Sequence, residues 1–301
     1  MDAAANRRRL EPSCGDATLS RLHGDPTLSR LHERFGILVT LPTAGEHLVN
    51  AAELQALAAT YGVVVLRNTA NTPMAPQQIM DLAMAMGEAV TDTEIFCQGT
   101  CRTNKTWTLP SHPGLLVVTN DPTKGRKAGV EGPHSDNAYM ATPARFSLLA
   151  AQILPDIGGE THFWSTGAAF ASLSEPIQAF SRTLRGVHTH VLHGVHTLNS
   201  PDDEPDRAEH PVALVVPETG AEALYVNSTY CKGFAGLSST ESSHILRMLL
   251  EHALQSRLLY RHTWMPGDVV IWDNWQTLHQ AIDNYTQTRL CYRATTLQAP
   301  G

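Results

Sequence analysis

His134 and Asp136, one residue apart in Gly132-Pro133-His134-Ser135-Asp136, are a pair of side chains able to grip one metal ion. In an extended strand alternate residues share a face, so an imidazole and a carboxylate at this spacing point the same way. A third ligand is expected at His279, after the run Gly267-Asp268-Val269-Val270-Ile271-Trp272-Asp273-Asn274. Two imidazoles and one carboxylate form the facial triad of non-haem Fe(II) oxygenases, which leaves coordination positions open for a co-substrate and O2. A His-X-Asp triplet by itself is common, and a pair such as Gly158-Gly159 is usually only a turn. The conjunction of these pieces in order carries the weight.

Positioning these groups requires rigid elements. Strands are expected at residues 36–39, 63–67, 115–118, 145–154, 161–164, 210–216, 223–227, 260–264, 268–272 and 290–296, where apolar and β-branched residues cluster between turn residues. Helical spacing of apolar residues predicts helices over 51–61, 76–86, 166–173, a stretch after Pro176, and 239–254, the last capped by Ser239 or Thr240 with Glu241 in its first turn. The polar, turn-rich stretch 94–127 precedes the first ligand and is expected to cover the site and choose the substrate. His188, His190, His193 and His196 form a second histidine cluster, but alternation puts His193 opposite the first two and no carboxylate is interleaved before Asp202. They read as a pH-sensitive or partly exposed segment.

Composition narrows the function classes. The 301 residues are 42% hydrophobic, enough to bury a sizeable core. With 22 basic against 29 acidic residues the net charge is −7, so no basic field draws nucleic acid or anionic lipid. Arg7-Arg8-Arg9 is followed by no apolar segment of a secretory signal, and no apolar run approaches the ~20 residues of a membrane span. Five scattered cysteines, with Cys97 and Cys101 read as ordinary thiols, fit a reducing cytoplasm better than a disulfide framework. The phrase Thr-Leu-Ser-Arg-Leu-His occurs at residues 18–23 and again at 27–32 and is assigned no chemistry. Residues 1–33 are expected to form a flexible leader and 34–301 one domain; whether that domain forms a homo-oligomer is left open.

From about Phe35 to Leu297 the chain resembles the family of taurine dioxygenase and the alpha-ketoacid-dependent herbicide dioxygenases. The resemblance is carried by His134-Ser135-Asp136, Gly158-Gly159-Glu160-Thr161, Leu224-Tyr225-Val226-Asn227, the block from Gly267 to Asn274, His279, and Arg289 with Arg293. It implies an α+β chain with a mainly β core, a double-stranded β-helix (jelly roll) with flanking helices, and a catalytic triad of His134, Asp136 and His279 holding Fe(II). It also implies 2-oxoglutarate and O2 as co-substrates. The chemistry agrees: a 2-oxoglutarate that chelates metal through its keto acid end presents a distal carboxylate, which Arg289 and Thr161 suit. Residues 289, 291 and 293 share a strand face, so Arg293 also points inward, toward the co-substrate or an anionic group of the substrate.

The implied reaction couples decarboxylation of 2-oxoglutarate, to succinate and CO2, with hydroxylation or desaturation at a C–H bond of a small, amino-acid-derived carboxylate substrate. Halogenation is disfavoured because Asp136 fills the position a halide would need. Pro133 stands where taurine-type members tend to carry an aromatic residue, so taurine is not the expected substrate. Asn137, Tyr139 and Trp275 are the candidate pocket walls. Pro133 to Tyr139 is closer to dioxygenases acting on amino-acid-derived isonitriles in natural-product pathways, with a sulfonate dioxygenase as the alternative. A jelly-roll metal-binding protein without turnover and a zinc hydrolase on the same ligands are the non-oxygenase readings.

Overall fold

Runs such as Val63-Val64-Val65-Leu66 and Val269-Val270-Ile271-Trp272 do not alternate apolar with polar residues, so as strands they need cover on both faces. The computed structural model, which describes residues 27–41, 50–90, 107–121, 123–126, 131–190 and 207–297, supplies that cover. Its strands are β1 (Thr27–Arg30), β2 (Ile37–Leu41), β3 (Val63–Asn68), β4 (Glu88–Ala89), β5 (Thr108–Leu109), β6 (His112–Thr119), β7 (Ala144–Ile153), β8 (Thr161–Ser165) and β9 (Arg185–Thr189). They continue with β10 (Arg207–Pro211), β11 (Ala213–Val215), β12 (Glu222–Leu224), β13 (Cys231–Phe234), β14 (Leu259–His262), β15 (Val269–Asp273), β16 (Thr277–Ala281) and β17 (Leu290–Leu297). The helices are α1 (Ala51–Tyr61), α2 (Pro76–Met86), α3 (Thr166–Ala171), α4 (Glu175–Thr183) and α5 (Ser239–Ala253).

The large sheet runs β1-β2-β3-β15-β7-β17-β6-β5, with β4 also paired to β17. β2 and β3 are parallel, a pairing that needs a crossover, and α1 provides it. Val64, Leu66, Phe146, Leu148, Ala150, Val269 and Ile271 face one way and meet Leu54 and Leu57 of α1 and Ile79 and Met86 of α2. Val63, Val65, Leu149, Val270 and Trp272 face the other way and pack on Phe163 of β8. β8 is the centre of the smaller sheet β14-β8-β16. The space between the two sheets is the interior of a jelly roll, and the helices lie outside it. Fully burying one such side chain contributes about 1.5–3 kcal/mol. Phe163→Ala, which would hollow out the inter-sheet layer, is therefore expected to cost about 3–5 kcal/mol.

Both ends of α1 follow from its sequence. Asn50 Oδ1 accepts from Ala52 N at 3.0 Å, and Gly62 closes the helix at φ +75°. The cap of α5 is Ser238, earlier than expected: its hydroxyl accepts from Glu241 N while the Glu241 carboxylate accepts from Ser238 N, a closed capping box. The expected leader divides. Residues 1–26, with the first copy of the repeated phrase, lie outside the described residues. Thr27–Arg30 in the second copy is instead β1, paired antiparallel to β2 with Leu28 against the core. Strands β4, β5, β9, β13 and β16 lie outside the ranges expected for strands. Thr277-Leu278-His279-Gln280-Ala281 shows only weak alternation, and it becomes a strand because β8 offers it a partner. No helix among the described residues is long and apolar enough to cross a membrane.

Candidate metal centre

The turn after β15 moves the chain from the large sheet to the small one and delivers His279. Trp275 N donates to Asp273 Oδ1 at 3.0 Å, Gln276 N to Asp273 O at 3.2 Å, and Thr277 Oγ1 to Asp273 O at 2.7 Å. His279 then sits on β16 opposite Phe163. Its N–H donates to His134 O at 2.8 Å and its carbonyl accepts from His134 N at 3.1 Å. This single antiparallel bridge ties the two imidazole-bearing residues together. The expectation that His134 and Asp136 share a regular strand is corrected here: after His134 the chain turns, with Asn137 at φ +50° and Met140 N donating to Asn137 O. Asp136 N donates to Asn274 Oδ1 at 3.0 Å, and that anchor, absent from a strand ladder, sets the carboxylate beside the imidazoles.

Ligand atoms of His134, Asp136 and His279 all lie within 4.8 Å of one another, and all three residues are buried. His134 Nε2 and His279 Nε2 stand 3.7 and 3.8 Å from Asp136 Oδ1. These separations are too long for hydrogen bonds and suit donors each about 2 Å from a shared ion. His134 Nδ1 is 2.8 Å from Gly132 O, which directs Nε2 inward. Asp136 Oδ2 accepts from Ser147 Oγ at 2.7 Å, and Ser147 Oγ accepts in turn from Asn274 Nδ2 at 2.9 Å. Burial pushes the His279 imidazole down to about 3, so it stays an unprotonated ligand. Burial alone would raise the Asp136 carboxyl, but the Arg293 guanidinium, 3.0 Å from Oδ1, and the imidazoles hold it well below the usual carboxylate range. An anionic carboxylate beside the imidazole nitrogens of two histidines fits a divalent, borderline cation such as Fe(II).

Beside the triad lies an anion site. Arg289, directly before β17, is 1% exposed, and its Nε, Nη1 and Nη2 have no hydrogen-bond partner among the described residues. A guanidinium buried in this way costs several kcal/mol unless an anion meets it. Thr161, the first residue of β8, is 2% exposed on the wall of the same cavity as the triad and Arg289. The turn that places Thr161 needs left-handed backbone at Gly158 and Gly159, and a Cβ on Gly159 would stand 3.2 Å from Arg289 Cδ. The site therefore fits the distal carboxylate of 2-oxoglutarate.

The remaining expected residues divide. Arg293, Asn137 and Tyr139 line the cavity, whereas Trp275 does not and instead lies 4.2 Å from the Arg145 guanidinium. Sequence reading missed Arg126, Glu131, His190 and Tyr230, which also line the cavity. Arg126 and Glu131 form an ion pair, and His190 and Tyr230 flank Tyr139 with ring centroids 4.3 and 5.1 Å away. No periodic pattern marks them. Of the histidine cluster, His188 is fully buried and held neutral by burial, down to about 3, not exposed. His193 and His196, the Cys97 and Cys101 pair, and residues 94–106, 122 and 127 of the expected cover lie outside the described residues.

The profile of the taurine catabolism dioxygenase TauD, TfdA family matches residues 28–295. The (S)-phenoxypropionate/alpha-ketoglutarate-dioxygenase of Sphingobium herbicidovorans is 31% identical over 196 residues, covering 60% of this chain and 68% of that one. The alkylsulfatase of Acinetobacter baylyi is 30% identical over 203 residues, covering 63% of this chain and 63% of that one. Among solved structures, AAD-2 in complex with Mn(II) and N-oxalylglycine superposes with a TM-score of 0.75 at 25% identity, over 91% of this chain and 98% of that one.

Proposed function

The chain belongs to the TauD, TfdA family of Fe(II)- and 2-oxoglutarate-dependent dioxygenases, and on that premise we propose that it oxidises a C–H bond of a small, amino-acid-derived carboxylate by hydroxylation or desaturation. The observation that carries this reading is the buried guanidinium of Arg289, without a hydrogen-bond partner among the described residues, beside the His134, Asp136 and His279 triad. When bound, Fe(II) with chelated 2-oxoglutarate and O2 supplies the oxidising power for the C–H bond, with succinate and CO2 as co-products.

The chain's own residues then do the rest. His134, Asp136 and His279 hold the metal. Ser147 and Asn274 restrain the Asp136 carboxylate so that Oδ1 faces the two imidazoles. Arg289 binds the distal carboxylate of the co-substrate and Thr161 donates to it. Arg293 adds positive charge on the substrate side, where an anionic group would rest, and Asn137 and Tyr139 form part of the pocket wall. Apolar cover from Leu149 and Trp272 keeps bulk water from the reacting C–H bond.

The finer reading is an amino-acid-derived isonitrile acid of natural-product metabolism, supported by the sequence Pro133 to Tyr139, with a sulfonate as the alternative. We place the enzyme in the cytoplasm, where its buried free thiols Cys231 and Cys291 stay reduced. A binding protein without turnover or a zinc hydrolase would need no dicarboxylate clamp, and Arg289 counts against both. The test is succinate release by the Fe(II)-loaded protein with 2-oxoglutarate and a panel of amino acids, their isonitrile derivatives, aryloxy acids and sulfonates. Turnover with an amino-acid-derived carboxylate is expected. Succinate only with sulfonates would defeat that substrate class, and no O2 uptake with any compound would favour a binding protein.

A further inference from the structure

The indole of Trp264 touches both halves of the dicarboxylate clamp. Its Nε1 donates to Thr161 Oγ1 at 3.1 Å, and its ring centroid lies 5.5 Å from the guanidinium carbon of Arg289. An indole N–H can only donate, and a hydroxyl has one hydrogen to give. The bond therefore occupies a lone pair of Thr161 and leaves its hydrogen for another acceptor, and Thr161 is on the cavity wall. Meanwhile the aromatic face beside Arg289 attracts the guanidinium without using any of its N–H groups, which stay available to an anion.

The indole is held from behind. His262, the last residue of β14 and the register partner of Thr161, meets Trp264 edge to face at 4.6 Å. His262 is fully buried, with Nδ1 2.9 Å from the Tyr260 hydroxyl and Nε2 3.3 Å from Asp268 Oδ2. Asp268 accepts a two-pronged contact from Arg67 at 2.8 and 2.7 Å and a third bond from Met265 N at 2.9 Å. A chain of contacts from Arg67 to Trp264 thus limits the tilt of the ring. Resting on the clamp assigned above, we propose that Trp264 is a positioning residue for 2-oxoglutarate: its N–H turns the Thr161 hydroxyl so that the hydrogen is donated to the distal carboxylate, while its ring keeps Arg289 aimed at the same group.

The test is calorimetric titration of N-oxalylglycine, a non-reacting analogue of 2-oxoglutarate, into the Mn(II)-loaded full chain. Trp264→Phe keeps an aromatic face beside Arg289 and removes the N–H. It is expected to weaken the analogue about fivefold, the usual effect of one neutral hydrogen bond, and to raise the KM for 2-oxoglutarate to match with kcat kept. Mn(II) affinity without the analogue should not move. In a Thr161→Val background, where no hydroxyl remains to orient, adding Trp264→Phe should cause no further loss. Replacing Trp264 by β-(3-benzothienyl)alanine, which keeps the indole's shape but not its N–H, should reproduce the Trp264→Phe loss and carries the test if the phenylalanine variant does not fold. Unchanged affinity in both variants, or an equal loss in the Thr161→Val background, overturns the positioning role. Failure of the unsubstituted protein to bind the analogue overturns the clamp as well.

Discussion

Asp136 is the residue on which the site converges: one carboxylate oxygen faces two imidazoles and Arg293, and the other accepts from Ser147. Ser147→Ala would leave Asn274 Nδ2 and Asp136 Oδ2 without their shared partner. Metal affinity should fall about 10- to 100-fold, as is usual for a partner one shell out, measured by Fe(II) or Mn(II) titration. His279→Ala removes one of three ligands, so 2-oxoglutarate-dependent O2 consumption should vanish in an oxygen-electrode assay; normal turnover would remove His279 from the triad. Arg289→Lys exchanges a planar fork for a point charge, and the KM for 2-oxoglutarate should rise about tenfold with metal affinity unchanged. His134, Asp136 and His279, which the structure brings together, stood out by residue type and order, and Thr161 and Arg289 by the resemblance to the family. Ser147 was not, because a serine within a buried strand gives no signal until the fold sets Asp136 against it.

At the level of elements, the turn from β7 into β8 couples folding to the site. Gly159 has φ +73°, and a Cβ there would press on Arg289 Cδ. Gly159→Ala should cost about 1–2 kcal/mol, visible as a lower urea midpoint, because a side chain is disfavoured in left-handed backbone. It should also raise the KM for 2-oxoglutarate by displacing the guanidinium. The helices were legible because their apolar residues recur at helical spacing and their caps are local. β16 was not, because its pairing with β8 joins residues more than a hundred positions apart. The segment bearing His134 and Asp136 departs from the expected strand for a related reason: beside the local turn at Asn137, the hydrogen bond from Asp136 N to the distant Asn274 fixes its course.

For the molecule as a whole, pH reports how much of the polar machinery is buried. Burial pushes His188 down to about 3, His190 to about 4 and His279 to about 3 from an ordinary 6.5. Between those values and 6.5 the unfolded chain binds more protons than the folded one, so stability should fall as pH drops below 6.5. Asp273 acts in the opposite sense. Burial raises it from 3.8 to about 6, so its contribution is fully present below 3.8 and is lost as pH rises through 6. With three histidines against one aspartate, metal-free protein should lose urea resistance between pH 6.5 and pH 4. His188→Leu should flatten that slope by up to one proton, about 1.4 kcal/mol per pH unit. The sequence by itself, through a His-X-Asp pair, a later histidine and a following arginine in the order of the family it resembles, pointed to the chemistry. It also determined the β-rich core, through apolar runs too continuous for a one-faced sheet. Only the tertiary structure decided which groups are joined: the Asp136, Ser147 and Asn274 loop, the Arg126 and Glu131 pair at the cavity, and the Trp264 contact with Thr161. These depend on distances across two sheets, and a linear pattern does not encode a contact whose partners are brought together by burial elsewhere in the chain.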